Sequence, residues 1–107
     1  MSVLKLYVFP EWMSPAEALA KSPRLREHVR IKDIPVNVDA WDGESCPKGT
    51  PGLIVLSPMA FADATELARA AIHHGHAVCR NDRLVTPGGL GSHEELIARV
   101  GQLTRKK

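Results

Sequence analysis

The chain has 107 residues, of which 44% are apolar and 24% are charged, and its formal net charge is +2. This size predicts one domain over residues 1–107 with one core, and so balanced a charge argues against a nucleic-acid partner. No apolar stretch approaches the ~20 residues that cross a bilayer, and the N-terminal residues lack a signal pattern, so we expect a cytoplasmic protein with no membrane segment. We expect Cys46 and Cys79 to be reduced thiols.

The first third of the chain predicts a strand followed by two short helices. Val3–Phe9 is rich in β-branched and aromatic residues, which is typical of a strand. Ser14 can cap a helix that has Pro15 at its first position, and Glu17 completes a capping box. A second Ser-Pro pair at 22–23 should end this helix and begin another.

The middle of the chain predicts two strands and a longer helix. Ile34–Trp41 alternates apolar and polar residues and indicates a half-buried strand. After a loop over 42–50, Leu53–Leu56 is wholly apolar, as in central strands covered on both faces. Asp63 and Glu66 have the spacing of another capping box, which predicts that a helix begins there.

The last third predicts a hairpin and a final helix. Ala77–Cys79 indicates a strand, Asn81 and Asp82 can turn the chain, and Leu84–Val85 can return as its partner. Ser92–Glu95 is a further capping box before an amphipathic helix. Strands that alternate with helices predict a single three-layer α/β domain, with a mostly parallel sheet of four or five strands.

The densest group of potential metal ligands is His73, His74, His76 and Cys79, with Cys46 elsewhere in the chain. Their spacing matches no standard zinc pattern. On a helix, His73 and His74 point about 100° apart and cannot easily share one ion. We therefore predict no metal site and no cofactor.

Three segments have the order of elements found in a known fold: the opening strand and helix, Gly49–Pro51 before a strand, and Arg80–Val85 as a hairpin. They resemble thioredoxin-like proteins, in which a loop before a strand bears a cis-proline. The chain has no Cys-x-x-Cys motif, and residues 12–15 stand in its place as Trp-Met-Ser-Pro. The resemblance therefore implies a thioredoxin-like fold without thiol–disulfide catalysis.

Four other segments share their order and composition with a second family: Lys5–Val8, Leu53–Pro58, Thr65–Ala70 and Gly75–Val78. They resemble the first strand, central strand, nucleophile-bearing helix and following turn of the nucleoside 2-deoxyribosyltransferase-like group of Rossmann-like proteins. The resemblance covers about half the chain and implies that Tyr7 lies near a nucleoside, while Glu66 attacks its anomeric carbon. The alternative reading makes Glu66 a helix-capping residue and Tyr7 a core aromatic.

Trp12 and Trp41 each lie at or just past the end of a predicted strand. Carboxyl ends of strands form the binding edge of open α/β sheets. If the first two strands are adjacent and parallel, Trp12, Trp41 and Asp42 should cluster there. The alternative is that the two tryptophans close the end of the core.

No catalytic set is complete in the sequence, so we favour a non-catalytic binding or accessory module over an enzyme. Its partner would be a protein or a small molecule, and large aromatic residues at a rim are typical protein anchors. One alternative is a transferase or hydrolase that acts on the N-glycosidic bond of a nucleoside or nucleotide and uses Glu66. The other is a degenerate thioredoxin-like protein.

Overall fold

The computed structural model of the protein describes residues 3–57 and 64–104. Within these ranges, no helix has the length and apolar character that crossing a membrane requires. The elements follow one another in this order: β1 (Leu4–Val8), α1 (Pro15–Ala20), α2 (Pro23–Ile31), β2 (Val36–Ala40), β3 (Leu53–Val55), α3 (Thr65–His73), β4 (Ala77–Arg80), β5 (Arg83–Thr86), β6 (Gly89–Leu90) and α4 (His93–Leu103).

The strands form one mixed sheet in the order β2-β1-β3-β4-β5-β6. β1 pairs in parallel with β2 and β3, and β3 pairs in parallel with β4, but β5 and β6 are antiparallel to their neighbours. The predictions of a mostly parallel sheet and of four or five strands are therefore wrong. Only Asn81 and Asp82 join β4 to β5, and both have positive φ, at 49° and 65°. So short a connection permits a hairpin but no parallel crossover.

The apolar run predicted to be a central strand is confirmed in that position. β3 lies between β1 and β4, and Leu53–Val55 is at most 3% exposed. Leu56 follows at 2% exposure, and its backbone N–H donates to the carbonyl of Cys79 at 3.0 Å. Strands paired on both sides and covered on both faces have no polar face, which explains the uninterrupted apolar sequence.

Alternate residues of the strands belong to two separate apolar clusters. Leu6 packs in a cluster with Leu25 of α2 and Val100 of α4. Tyr7, the next residue along β1, packs in the other cluster with Ala68 of α3. This division follows from the two-residue repeat of a strand, whose successive side chains point to opposite faces.

Side-chain caps are present at the amino ends of α1, α2 and α4 in the described part of the chain. The predicted capping boxes Ser14–Glu17 and Ser92–Glu95 are both present. The cap of α2 comes from outside the helix, because the Asp82 carboxylate accepts hydrogen bonds from the backbone N–H groups of Arg24 and Leu25, at 3.1 and 3.0 Å. The β4–β5 turn is thereby attached to the start of α2.

Residues 41–52, here named the crossover loop, carry the chain from β2 past β1 to β3. The connection from β1 to β2 contains α1 and α2, which pack in the apolar cluster of Leu6. The crossover loop lies on the other face of the sheet, where Tyr7 donates to the Thr50 carbonyl. Right-handed connections that reverse direction along a sheet lie on opposite faces. A loop rather than a helix therefore covers this part of the α3 side.

Candidate functional site

Three aromatic side chains, here named the aromatic edge, meet at the carboxyl ends of β1 and β2: Phe9, Trp12 and Trp41. Val8 and Ala40 are paired in the parallel ladder, so the residues that follow the two strands become neighbours. The Trp12 ring lies edge-to-face with Phe9 at 5.0 Å and with Trp41 at 5.6 Å. The structure thus brings together the two tryptophans expected to cluster there.

The two tryptophans differ in exposure. Trp41 is 6% exposed, its backbone N–H donates to the Val8 carbonyl at 2.9 Å, and its indole N–H donates to the Ser45 carbonyl at 2.6 Å. Trp12 is half-buried and lies in a turn that its N–H closes by donating to the Phe9 carbonyl at 3.0 Å. Trp41 is therefore fixed and buried, whereas the neighbouring Trp12 is only half-buried.

Asp42 organises the start of the crossover loop. Its Oδ1 accepts from the backbone N–H groups of Glu44 and Ser45, at 2.9 and 3.0 Å, and its Oδ2 accepts from the Ser45 hydroxyl at 2.7 Å. The hydroxyl, followed by these N–H groups, lowers the pKa of the Asp42 carboxyl, which is therefore ionised at neutral pH. Gly43 has a φ of +78°, and a Cβ there would lie 2.8 Å from the Phe9 ring, so the loop packs tightly on the aromatic edge.

Two buried side chains anchor the far end of the crossover loop. Tyr7 donates its hydroxyl to the Thr50 carbonyl at 2.5 Å. His76, which is fully buried, contacts the Pro47 carbonyl through Nε2 at 2.6 Å and accepts the Gly52 N–H at Nδ1, at 3.1 Å. Because Nδ1 accepts, the ring proton lies on Nε2 and His76 is neutral. Burial lowers the pKa of His76 and raises that of Tyr7, which favours the neutral form of each.

The positions of Tyr7 and His76 can be compared with what the sequence predicted for each. Tyr7, expected beside a nucleoside, is 6% exposed, and its ring lies edge-to-face with that of His76 at 5.2 Å. In the sequence, His76 was predicted as a possible metal ligand and as part of the turn Gly75–Val78, and its contacts with the loop were missed. The available signal was weak: a histidine directly before a buried strand and a proline-rich loop elsewhere in the chain.

Glu66 lies on the outer face of α3, with its side chain 87% exposed. Its Oε1 accepts a hydrogen bond from Arg69 at 2.9 Å, one turn along the helix. The N-cap of α3 is Ala64, which makes no side-chain capping bond, and Asp63 lies outside the described residues. Two of the cavities among the described residues, of about 420 and 200 Å³, are lined by neither Glu66 nor Tyr7.

The histidines and cysteines do not form a ligand cluster. Among residues 3–57 and 64–104, no group of three or more His, Cys, Asp or Glu side chains has the geometry to hold a metal ion. Both cysteines are free thiols, and burial raises the pKa of Cys79 to about 12. Burial also raises the pKa of Cys46, so neither thiol has thiolate character at neutral pH. The described residues contain no cis peptide bond, so the bond before Pro51 is trans.

The larger cavity lies between the β4–β5 turn and the amino ends of α2 and α4. Many of its polar groups already bind other parts of the fold. Asp82 caps α2, Ser92 caps α4, and Arg83 Nε donates to the Gly91 carbonyl at 2.8 Å. The polar side chains that line this cavity therefore form part of the contacts between the hairpin and the two helices.

Comparison with protein-family models, curated proteins and solved structures found no significant match to this chain.

Proposed function

We propose that this chain is a non-catalytic binding module that holds a protein partner at the aromatic edge. The observation that supports this most directly is the position of Trp12, half-buried between Phe9 and Trp41 at the carboxyl ends of two parallel strands. A large aromatic ring that is partly exposed and held by packing is a typical anchor of protein interfaces.

The aromatic edge is organised before any partner arrives. Trp41 is held by two hydrogen bonds, and Asp42 accepts three from the residues that follow it. A surface whose side chains and loop are already ordered loses little conformational entropy on binding. This preorganisation supports a binding role.

Charge indicates the chemistry of the partner. The exposed residues Glu11, Asp42 and Glu44 flank the two tryptophans in the chain, although the whole protein carries a formal charge of +2. A segment with Lys or Arg side chains could place its cations on the indole rings and near these carboxylates. We therefore propose a partner segment that combines basic and apolar residues.

Two further predictions belong to the same proposal. The three-layer arrangement is supported by the two apolar clusters on opposite sides of the sheet. A cytoplasmic location is supported by the two free thiols, Cys46 and Cys79.

The alternative functions have less support. An enzyme acting on N-glycosidic bonds would need the Glu66 carboxylate beside its substrate, but this side chain is 87% exposed and paired with Arg69. A degenerate thioredoxin-like function rests only on the resemblance of three segments.

The binding proposal can be tested with short synthetic peptides that lack tryptophan. Trp12 and Trp41 are the only tryptophans in the chain, so a change in intrinsic emission reports on the aromatic edge. We expect labelled peptides rich in Lys, Arg and Leu to bind saturably, and acidic peptides of the same length to bind much more weakly. Trp12→Ala should weaken binding, followed by anisotropy, at least ~10-fold. Leu90→Ala, which truncates an exposed residue of β6, should leave binding unchanged.

Equal binding of basic and acidic peptides, or full affinity in a folded Trp12→Ala variant, would contradict the proposal. The enzyme alternative is tested separately by release of free base from a panel of nucleosides. We expect none from the wild type. Base release that disappears in a folded Glu66→Gln variant would instead establish the enzyme.

A further inference from the structure

The smaller cavity, of about 200 Å³, lies at the opposite end of the sheet from the aromatic edge. It opens where β4 begins and β5 ends, whereas the aromatic edge follows the carboxyl ends of β1 and β2. The cavity, here named the Arg99 groove, is lined mainly by these residues: Ala68, Ile72, Val78, Val85, Pro87 and Arg99. It shares no residue with the aromatic edge.

The walls of the Arg99 groove are mostly apolar. Val78 and Val85 are paired across β4 and β5 and form the floor together with Ala68 of α3. Ile72 of α3 borders the groove and is 57% exposed. Few large apolar side chains among the described residues are as exposed. An apolar molecule placed between Ile72 and Val85 would remove this surface from water, which is favourable.

Arg99 supplies a positive charge to this apolar site. Its side chain is half-buried, and its two terminal nitrogens donate to the His76 carbonyl at 3.1 Å and to the Gln102 side chain at 2.8 Å. Both acceptors are neutral, and no carboxylate among the described residues lines the groove. The ion pairs found in the described part of the chain do not include Arg99.

A guanidinium held beside apolar walls without a counter-charge favours an anion. It has five N–H donors in a planar fork that matches a carboxylate, and only two of them are used by the protein here. Partial burial strengthens the attraction because less water competes for the charge. The anchoring bonds also fix the guanidinium in place, so little side-chain entropy is lost on binding.

We propose that the Arg99 groove binds a small monocarboxylate with an apolar body. The carboxylate would pair with Arg99, and the apolar body would lie between Ile72 and Val85. The volume of about 200 Å³ is below the ~300–1,000 Å³ of sites for drug-sized ligands, which limits the body to the size of a short aliphatic chain or a single ring. Arg99 is the one cation among the described residues that line the groove, which suits a ligand with one negative charge.

The proposal can be tested with the wild-type protein and two probes of the same length, sodium hexanoate and 1-hexanol. Backbone amide NMR signals of Ala68, Ile72 and Val85 should shift saturably with hexanoate. A dissociation constant on the order of 1 mM is expected for so small a ligand. Hexanol, which has the same apolar body without the charge, should bind at least ~10-fold more weakly, because it cannot form the charged hydrogen bonds to Arg99.

Variants identify the residue responsible. Arg99→Gln should weaken hexanoate binding at least ~10-fold, and Arg99→Lys should weaken it less, because it keeps the charge but loses the planar fork. Arg69→Gln, on the exposed face of α3, is the matched control and should bind as the wild type does. Trp12→Ala should also leave hexanoate binding unchanged, so this proposal and the aromatic-edge proposal can fail independently.

Three results would overturn the inference. The first is the absence of saturable shifts at the groove in wild-type protein. The second is equal affinity for hexanol and hexanoate, which needs no variant and decides the question even if Arg99→Gln fails to fold. The third is undiminished hexanoate binding in a folded Arg99→Gln variant.

Discussion

Replacing His76 with leucine should destabilise the protein by removing two anchors of the crossover loop at once. The imidazole is fully buried, donates to the Pro47 carbonyl and accepts from the Gly52 N–H. Leucine fills a similar space but has no donor or acceptor. The variant therefore isolates the hydrogen bonds from the packing of the side chain.

The size of the effect follows from the exposure of the two backbone groups. Gly52 is buried, so its N–H would have no partner, which costs about 1–3 kcal/mol. Pro47 is half-buried, so its carbonyl could partly bind water, and its lost bond should cost about 0.5–1.5 kcal/mol. Together we expect the free energy of unfolding to fall by about 1.5–4.5 kcal/mol, a large part of the ~5–15 kcal/mol typical of a domain.

The same residue should make stability depend on pH. Burial lowers the pKa of folded His76 below its ordinary value of 6.5, near which the unfolded chain titrates. Above pH 6.5 the imidazole is neutral in both states, and its full contribution is present. As the pH falls below 6.5, the unfolded state binds a proton that the folded state excludes. Stability then falls by up to about 1.4 kcal/mol per pH unit until the folded pKa is reached.

Urea unfolding, followed by tryptophan emission at several values between about pH 5 and 8, measures both effects. His76→Leu should be less stable than wild type at neutral pH and should lose part of the decline toward acid. His28, whose pKa is also lowered by burial, should contribute to the decline of stability toward acid in both proteins. Tyr7→Phe, which removes one bond to the exposed Thr50, is the control and should cost only about 0.5–1.5 kcal/mol. A His76→Leu variant with wild-type stability, or with the full wild-type decline toward acid, would refute the reasoning.

Other predictions concern backbone strain, capping and thiol chemistry. Gly43→Ala should cost about 1–3 kcal/mol in urea unfolding, because of its positive φ and the phenylalanine ring 2.8 Å from the new Cβ. Gly101 lies in α4, where a new Cβ would meet nothing within 4 Å, so Gly101→Ala should instead stabilise the protein by about 0.5–1 kcal/mol. Equal changes in stability for the two glycine variants would contradict this reasoning. Asp82→Ala should cost about 1–2 kcal/mol through the lost cap of α2, in addition to the strain of alanine at a φ of 65°, and unchanged stability would disprove that cap. Mass spectrometry should find two free thiols, with Cys46 alkylated slowly and Cys79 only on unfolding, whereas rapid labelling of native Cys79 would contradict its burial.

The sequence by itself determined those features that depend on near neighbours. The capping boxes at Ser14–Glu17 and Ser92–Glu95 were predictable because their hydrogen bonds span only three residues. Burial of β3 was predictable from its apolar run, and the turn at Asn81 and Asp82 from two residue types that tolerate positive φ.

The aromatic edge was predictable only in part. The positions of Trp12 and Trp41 at strand ends could be read from the sequence, but their contact required β1 and β2 to be adjacent and parallel. No local pattern sets strand order, because the period of a strand specifies which side chains share a face and not which strand lies beside it.

Tertiary structure alone decided the mixed direction of the sheet and the contacts between distant residues. His76 binds a loop that lies 24 and 29 residues earlier in the chain, and Asp82 caps a helix 57 and 58 residues away. Arg99 reaches the backbone of His76 from a different element of the fold. A hydrogen-bonding side chain accepts any partner of suitable chemistry, so its actual partner depends on which backbone groups the fold brings within reach and shields from water.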